Sequence, residues 1–337
     1  MTSAHAVTAI AGTNIALVKY WGKRDVALNL PATGSLSLTL DRLGTRTTVV
    51  FDDGERDRLI LDGAPAGDAE TARVSAFLDR VRARAEIARR ALVTSDNSVP
   101  TAAGLASSAS GFAALALAAA RAAGLSLSPA ELSALARVGS GSAARSIFGG
   151  FVEMARGERP DGSDAIAHAL PDGGNGENGW DVRLVVAITA SGPKAIGSTA
   201  AMTHTERTSP YHAAWIASVP ADLAAARAAI AARDLPALGA VAERSALRMH
   251  AAAMAADPAI IYWNAGTLAA IACVRALRAA GTPAFFTIDA GPHVKALCGA
   301  ADADAVAAAL RAVPGVSDCL IAAPGPGARV APQLETR

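Results

Sequence analysis

The sequence predicts an α+β fold in two lobes, and three observations carry that reading. At 337 residues the chain is longer than one ordinary hydrophobic core supports, so two domains or one large bilobal unit are expected. Strand-like and helix-like stretches are interleaved without the regular βαβ alternation of a doubly wound sheet. The loop-forming run DGGNGENG, within residues 160–180, separates residues 1–180 from residues 181–337. Hydrophobic residues make up 52% and charged residues 18%, which excludes a disordered chain. About a quarter of the residues are Ala, so the apolar fraction overstates the core volume.

The elements follow in order. Residues 40–62 read as a strand pair: TRTTVVF and DRLILD are β-branched or apolar, and Asp-Asp-Gly-Glu between them is turn chemistry. Residues 71–92 form a helix candidate with Arg and Glu on its polar side. The small-residue loop SDNSVPTAAGLASSASG opens into the helical FAALALAAARAAG, with Gly124 as its natural stop. Ser128-Pro129-Ala130-Glu131 is a capping box with Pro at N1, starting another helix. In the second half VRLVVAIT reads as a buried strand. Three Ala-rich helices are expected at about 209–231, 234–256 and 264–281. PAFFTIDAG is a strand, ADADAVAAALRAV a helix and DCLIAAPG a last strand; the tail AAPGPGARVAP reads as a structural turn.

Lys plus Arg number 31 and Asp plus Glu 30, a net charge of +1. That balance gives no reason to expect a nucleic-acid partner, and an anionic ligand must be met by a local cation cluster. Cys273, Cys298 and Cys319 lack CxxC spacing and sit in apolar runs, so buried thiols and a cytoplasmic location are expected. The first residues lack a basic n-region, and no signal peptide is read. The most membrane-like run, 111–127, is mostly Ala and is interrupted by Arg121; a buried helix is expected there, and no membrane partner. The six His show no HxxxH or HxH spacing, so no protein-held metal is expected.

Four stretches could carry chemistry. PTAAGLASSASG (100–111) runs small residues and Ser hydroxyls into a helix whose free N–H groups favour an anion. On its residues alone it is also an ordinary Ser/Gly helix start. ARVGSGSAARSIFGG (136–150) is a second Gly/Ser loop with Arg145 close behind, and two such loops suggest two anionic partners. NIALVKYWGKRD (14–25) crowds Lys19, Lys23 and Arg24 around Tyr20 and Trp21; taken alone it reads as a solvated basic turn. In FFTIDAGPH, Asp289 ends an apolar strand beside a forced turn, a place for a catalytic carboxylate or equally for a cap.

Taken together, NIALVKYWGKRD, LPATGSLSLTL, PTAAGLASSASG, VGSGSAARSIFGGFVEM, GSTAAMTHTERTSP, FTIDAGPH and APGPG resemble, in order and approximate spacing, the diphosphomevalonate decarboxylases. These belong to the superfamily of galactokinase, homoserine kinase, mevalonate kinase and phosphomevalonate kinase. The likeness spans about residues 9–327; KYWGK, GSGSAxRS and DAGP together are specific, whereas PTAAGLASSA alone marks only the superfamily.

The resemblance implies a two-lobed small-molecule kinase superfamily fold with the site in the cleft between the lobes. It implies an isoprenoid-pathway enzyme, a cytoplasmic homodimer, that uses Mg2+ and ATP to phosphorylate the 3-hydroxyl of mevalonate 5-diphosphate. Loss of that phosphate with the carboxylate then gives isopentenyl diphosphate, CO2, ADP and phosphate. Asp289 matches the aspartate that helps deprotonate the hydroxyl, and Arg145 the arginine that holds the carboxylate and orients Asp289. Ser140, Gly141 and Ser142 match the substrate-contacting turn. Tyr20 and Lys23 match groups that meet the diphosphate, Lys23 counting also as catalytic. Pro100, Ala103, Gly104, Leu105, Ala106, Ser107 and Ser108 match the ATP phosphate loop, and Lys194 a lysine near the nucleotide.

Three departures stand out: Thr33 and Gly34 replace Asn or Ser, His293 replaces Asn, and Thr199 stands where some bacterial members carry Arg. Two enzymatic alternatives are a plain superfamily kinase of a mevalonate-type alcohol and a decarboxylase of the 5-phosphate. Against the kinase, no Asp occurs between Pro129 and Met154, where kinases usually place theirs. A non-catalytic scaffold would have lost Lys23, Ser107, Arg145 and Asp289, and all four are present.

Overall fold

The computed structural model describes residues 5–98, 107–171, 179–192 and 195–332. The chain opens on β1 (Val7–Val18), the short β2 (Lys23–Asp25) and β3 (Leu30–Pro31), and the long β4 (Ser35–Asp52). Then come β5 (Arg58–Leu61), β6 (Ala64–Pro65), α1 (Asp68–Ala85), β7 (Arg90–Asn97), α2 (Ser107–Ala122), α3 (Pro129–Gly139) and α4 (Ala143–Ser146). After β8 (Phe151–Met154) and β9 (Ala167–Ala169), the second half starts with β10 (Val182–Ile188). It continues through α5 (Ser198–Thr208), α6 (His212–Ala231), α7 (Leu235–Met254), α8 (Ala265–Ala279), β11 (Phe285–Ile288) and β12 (Val294–Gly299). α9 (Ala303–Arg311), β13 (Asp318–Ala322) and β14 (Arg329–Val330) complete the chain.

The large sheet runs β14-β1-β4-β7-β5-β6, with β8 and β9 joined through β4; the smaller one runs β11-β12-β10-β13. Helices α1 and α2 cover one face of the large sheet, where Phe77 and Phe112 meet in an edge-to-face pair 5.5 Å apart. On its other face Leu36, Leu38 and Leu40 share one apolar cluster with Val219 of α6, Val241 of α7 and Leu184 of the smaller sheet. α7 is thus held between the two sheets, and α6 packs against α7 and the large sheet. By length and composition α6 is long and apolar enough to cross a membrane, but its buried residues, from His212 to Ile230, line one face, and the other face is mostly exposed Ala. Its buried Asp222 is bound by Arg244 and Arg248 of α7.

The α+β class holds, and several local expectations are corrected. TRTTVVF and DRLILD are strands but not partners, because β7 lies between them, antiparallel to β4 and parallel to β5. The register sets Val93 between Val49 and Leu59 and buries all three. The helix expected at 71–92 ends at Ala85, where Glu86 turns left-handed (φ 54°), and ALVT becomes strand. The basic-turn reading of 14–25 hid β1, whose pairing with β4 runs from Val7 to Val18. The tail is more than a turn: β14 pairs with β1 and Pro324 bridges Leu40, so the end of the half expected at 181–337 belongs to the first sheet. α5 and β12 were not foreseen. The Gly124 stop (φ 77°) and the Ser128–Glu131 capping box form as read.

One buried ion pair ties α1 to the sheet. Arg82 donates two hydrogen bonds to Asp57 (3.1 and 2.9 Å), which also accepts from the Ala91 amide. Burial alone would raise the Asp57 pKa, yet Arg82 and the other donors hold it below the usual value. Arg82→Leu is expected to cost about 3 kcal/mol, read as a lower urea midpoint, because it leaves a buried carboxylate without its cation.

Candidate functional site

A cavity of about 710 Å³ lies where the two halves meet, lined from β1, β2, α1, α2, the α3–α4 turn, α5, the β11–β12 turn and β12. Its walls carry Lys19, Lys23, Arg73, Arg145 and Lys295 against one carboxylate, Asp289. In a chain of net charge +1, that is a concentrated excess of positive charge.

Asp289 follows β11 directly. Its Oδ1 accepts from Lys19 Nζ at 2.7 Å and its Oδ2 lies 3.1 Å from Lys295 Nζ. Burial would raise its pKa, but the two ammonium groups override this and hold it well below the carboxylate range. Lys19 is itself buried at the end of β1 and its Nζ also donates to the Ala16 carbonyl at 2.7 Å. Burial first, then repulsion from Lys295 and Arg145, lowers Lys19 to about 8 against the pull of Asp289.

The direct contacts of two expected site residues are not with Asp289. Arg145 was expected to orient Asp289; Lys19 and Lys295 hold it instead. Arg145 spends its donors on neutral oxygens: Asn14 Oδ1 (3.3 Å), Ser37 Oγ (3.0 Å) and Ser35 Oγ (2.5 Å). It is 2% exposed, and among the described residues no carboxylate lies within salt-bridge reach of it. Burial lowers its pKa to about 10. Lys23, expected among the catalytic and diphosphate-binding groups, lines the cavity, where its ammonium donates to Asn29 Oδ1 (2.5 Å) and Thr199 Oγ1 (3.3 Å).

The local chain explains these placements. β1 bulges between Gly12 and Asn14, where any Cβ on Gly12 would meet the Leu40 carbonyl at 2.3 Å. Past that bulge, the Asn14 amide donates to the Ser142 carbonyl (2.9 Å) and Ser146 Oγ (2.8 Å). SLSLTL alternates along β4, so Ser35 and Ser37 share the face that meets Arg145. Tyr20 lies against Gly141: a Cβ there would stand 2.4 Å from the phenol oxygen. Burial raises Tyr20 to about 12, with Arg145 and Arg137 opposing, and its hydroxyl has no partner among the described residues.

The start of α2 meets the α3–α4 turn, Ser140 Oγ lying 3.5 Å from Ser108 Oγ. Ser140 and Ser142 hydroxyls are 3.3 Å apart. Pro100, Ala103, Gly104, Leu105, Ala106 and Lys194 lie outside the described residues, and Ser107 is described only as the first residue of α2. Arg73, missed in the sequence, reaches from α1 to the Gly139 carbonyl (2.8 Å), stacks over Phe112, and its charge lowers the Lys23 pKa alongside burial. Arg73 and Ser108 also border a mainly apolar cleft of about 180 Å³ containing Leu59, Val93 and Phe112.

The Lys19 and Lys295 roles were equally hidden. Nothing local distinguishes a lysine that will be buried from one that will be solvated. Only the alternating serines of β4 offered a legible signal. The departures at Thr33 and Gly34 have a packing context: Thr33 is buried, and a Cβ on Gly34 would press Leu223 of α6 at 2.7 Å.

Two family models match the chain, one described as a diphosphomevalonate decarboxylase-like N-terminal domain over residues 11–167 and one as a mevalonate 5-diphosphate decarboxylase C-terminal domain over residues 184–322. The diphosphomevalonate decarboxylase of Aspergillus fumigatus is 37% identical, covering 92% of this chain and 81% of its own. The human enzyme of that name is 38% identical over 86% of this chain and 75% of its own. Mevalonate diphosphate decarboxylase from Staphylococcus aureus superposes with a TM-score of 0.91 at 38% identity, covering 97% of this chain and 98% of that one. MDDEF in complex with MVAPP, AMPPCP and magnesium superposes with a TM-score of 0.90 at 42% identity and the same coverage.

Proposed function

The chain belongs to the diphosphomevalonate decarboxylase family, and from that premise we propose that it converts mevalonate 5-diphosphate and ATP to isopentenyl diphosphate, CO2, ADP and phosphate. The observation that carries this reading is the cavity that, among the described residues, holds five cationic side chains and one carboxylate, one of the cations being the buried Arg145 guanidinium with no carboxylate partner. Such a site suits two polyanions and a carboxylate held side by side.

Each residue then has a task. Lys23, with Thr199 and the start of α5, meets the substrate diphosphate, and Tyr20 closes that end. Arg145 grips the substrate carboxylate while Asn14, Ser35 and Ser37 fix its plane. Ser108 at the start of α2 and Arg73 serve the nucleotide phosphates, and the apolar cleft beyond them takes the base. Asp289 accepts a hydrogen bond from the 3-hydroxyl. Braced by two lysines it is a weak base at rest, so it takes the proton only as phosphoryl transfer makes that hydroxyl acidic. Arg145 then keeps the carboxylate aligned while the C–C electrons form the double bond and the 3-phosphate departs.

Magnesium belongs on the phosphate oxygens. Among the described residues no group of three His, Cys, Asp or Glu could hold it, and Asp289 is already engaged by two lysines. The Ser108 hydroxyl suits such a hard, water-rich ion, which would supply charge neutralisation. We further propose a cytoplasmic homodimer: the three thiols are unbridged, as in a reducing compartment, and Ile261 and Leu268 are exposed apolar side chains of the kind a partner copy covers.

The test supplies ATP with mevalonate, its 5-phosphate or its 5-diphosphate, and measures CO2 and ADP separately. Matching CO2 and ADP from the 5-diphosphate is the expected result; ADP without CO2 would mean a kinase, and CO2 from the 5-phosphate another decarboxylase. Because Lys19 carries its proton only below about pH 8, kcat/KM is expected to fall on the alkaline side with a midpoint near there. Lys19→Met should lack that alkaline limb. A wild-type profile flat to pH 10 would remove Lys19 from the charged partners of Asp289.

A further inference from the structure

We infer that His293 is a positioning residue for Asp289, acting as an uncharged hydrogen-bond acceptor that ties the Asp289–His293 turn to the end of β10. The inference rests on the role proposed above for Asp289. That turn closes the β11–β12 hairpin, Ile288 pairing with Val294, and Asp289 is its first residue. Its shape therefore decides where the carboxylate sits relative to Lys19 and to Lys295 on the returning strand.

Gly291 donates to the Asp289 carbonyl at 2.7 Å, and a Cβ on Gly291 would meet nothing within 4 Å. Support comes from outside. The Thr189 amide, one residue past β10, donates to His293 Nδ1 at 3.1 Å, and both residues are buried. The Pro292 carbonyl accepts from Thr189 Oγ1 (2.8 Å) and from Thr267 Oγ1 (2.7 Å), the latter within the capping box of α8. The Asn264 amide, the N-cap of that helix, closes the knot on the Thr189 carbonyl at 2.9 Å. The turn is thus clamped to a strand end and a helix start, and His293 supplies one of the three acceptors.

An imidazole that accepts at Nδ1 carries its proton on Nε2 and is neutral. The job needs a short side chain with an acceptor one atom beyond Cγ. The Oδ1 of asparagine occupies that place, so asparagine can substitute for His293, and leucine of similar bulk cannot. Without an acceptor the buried Thr189 amide is left unpaired, and the turn must shift to find one. A shift of about 1 Å at a reacting group can lower the rate about 10²-fold.

The experiment compares His293→Leu, His293→Asn and Asp289→Asn in the ATP-dependent CO2 assay, with nucleotide affinity measured separately by binding of a non-hydrolysable ATP analogue. The Leu variant is expected to lose about 10²-fold in kcat while binding the analogue nearly as wild type does, and the Asn variant to recover most of the rate. In the double variant Asp289→Asn/His293→Leu, the second change should add little to the first, because His293 acts through Asp289. A Leu variant with wild-type kcat, or an Asn variant as slow as Leu, overturns the inference. So does a Leu variant that no longer binds the analogue, since that loss would mark a general structural role. If Asp289→Asn turns over at the wild-type rate, the role given to Asp289 has failed, and this inference with it; a slow Asp289→Asn beside a fast His293→Leu would count against His293 alone.

Discussion

Asp289→Asn is expected to lower kcat for CO2 release by on the order of 10²–10⁴-fold, while ATP-analogue binding stays close to wild type. The amide keeps the size of the side chain and can still accept a hydrogen bond from the substrate hydroxyl. It cannot take the proton, and it removes the one negative charge facing Lys19 and Lys295. A second consequence separates this loss from a misfolded protein. Attraction to Asp289 supports the charge on Lys19 against burial, so the Lys19 pKa, near 8 in the wild type, should drop in the variant. Any residual kcat/KM should then decline at lower pH than in the wild type. Retention of most of the wild-type rate would show that the proton leaves by another route.

Arg145→Lys is the second large effect, a loss of about 10²-fold in CO2 yield at saturating substrate although the charge is kept. The guanidinium is planar and is oriented by three neutral oxygens, from Asn14, Ser35 and Ser37. A lysine ammonium offers no fork to match, so it leaves some of those oxygens unpaired and cannot meet a carboxylate through two parallel bonds. The orienting role that the resemblance implied for Arg145 would make Arg145→Ala raise the pKa of Asp289 as well. The structure gives that task to Lys19 and Lys295, and Asp289 should stay ionised in the Ala variant. Near-normal CO2 release by the Lys variant would mean that another group holds the carboxylate.

Much of the site was legible because its pieces are local. GSGSAARS keeps a turn and its arginine within one short run, and the capping box at Ser128 places the helix that leads into it. PTAAGLASS and FTIDAGP are likewise continuous. Failures came where function depends on a partner far along the chain. Lys19 finds Asp289 270 positions away, and the turn carrying Asp289 is braced by Thr189 and Thr267. Arg73 looked like a solvated helix residue until the α3 terminus and Phe112 came to meet it.

By itself the sequence determined the Gly124 stop, the α3 start at Ser128, the α+β class and the Gly/Ser turn before Arg145, all consequences of backbone preference and short-range hydrogen bonding. Tertiary structure alone decided which strand lies beside which. A period-two pattern shows which face of a strand is apolar but not which neighbour shares that face, so β7 could slip between β4 and β5 unannounced. It also decided the charges. Lys19 and Lys23 read as a wet basic turn, and only burial against Asp289, Asn29 and Thr199 gave them separate partners and depressed their pKa values. Desolvation depends on what packs around a group from every direction, and no window along the chain contains that information.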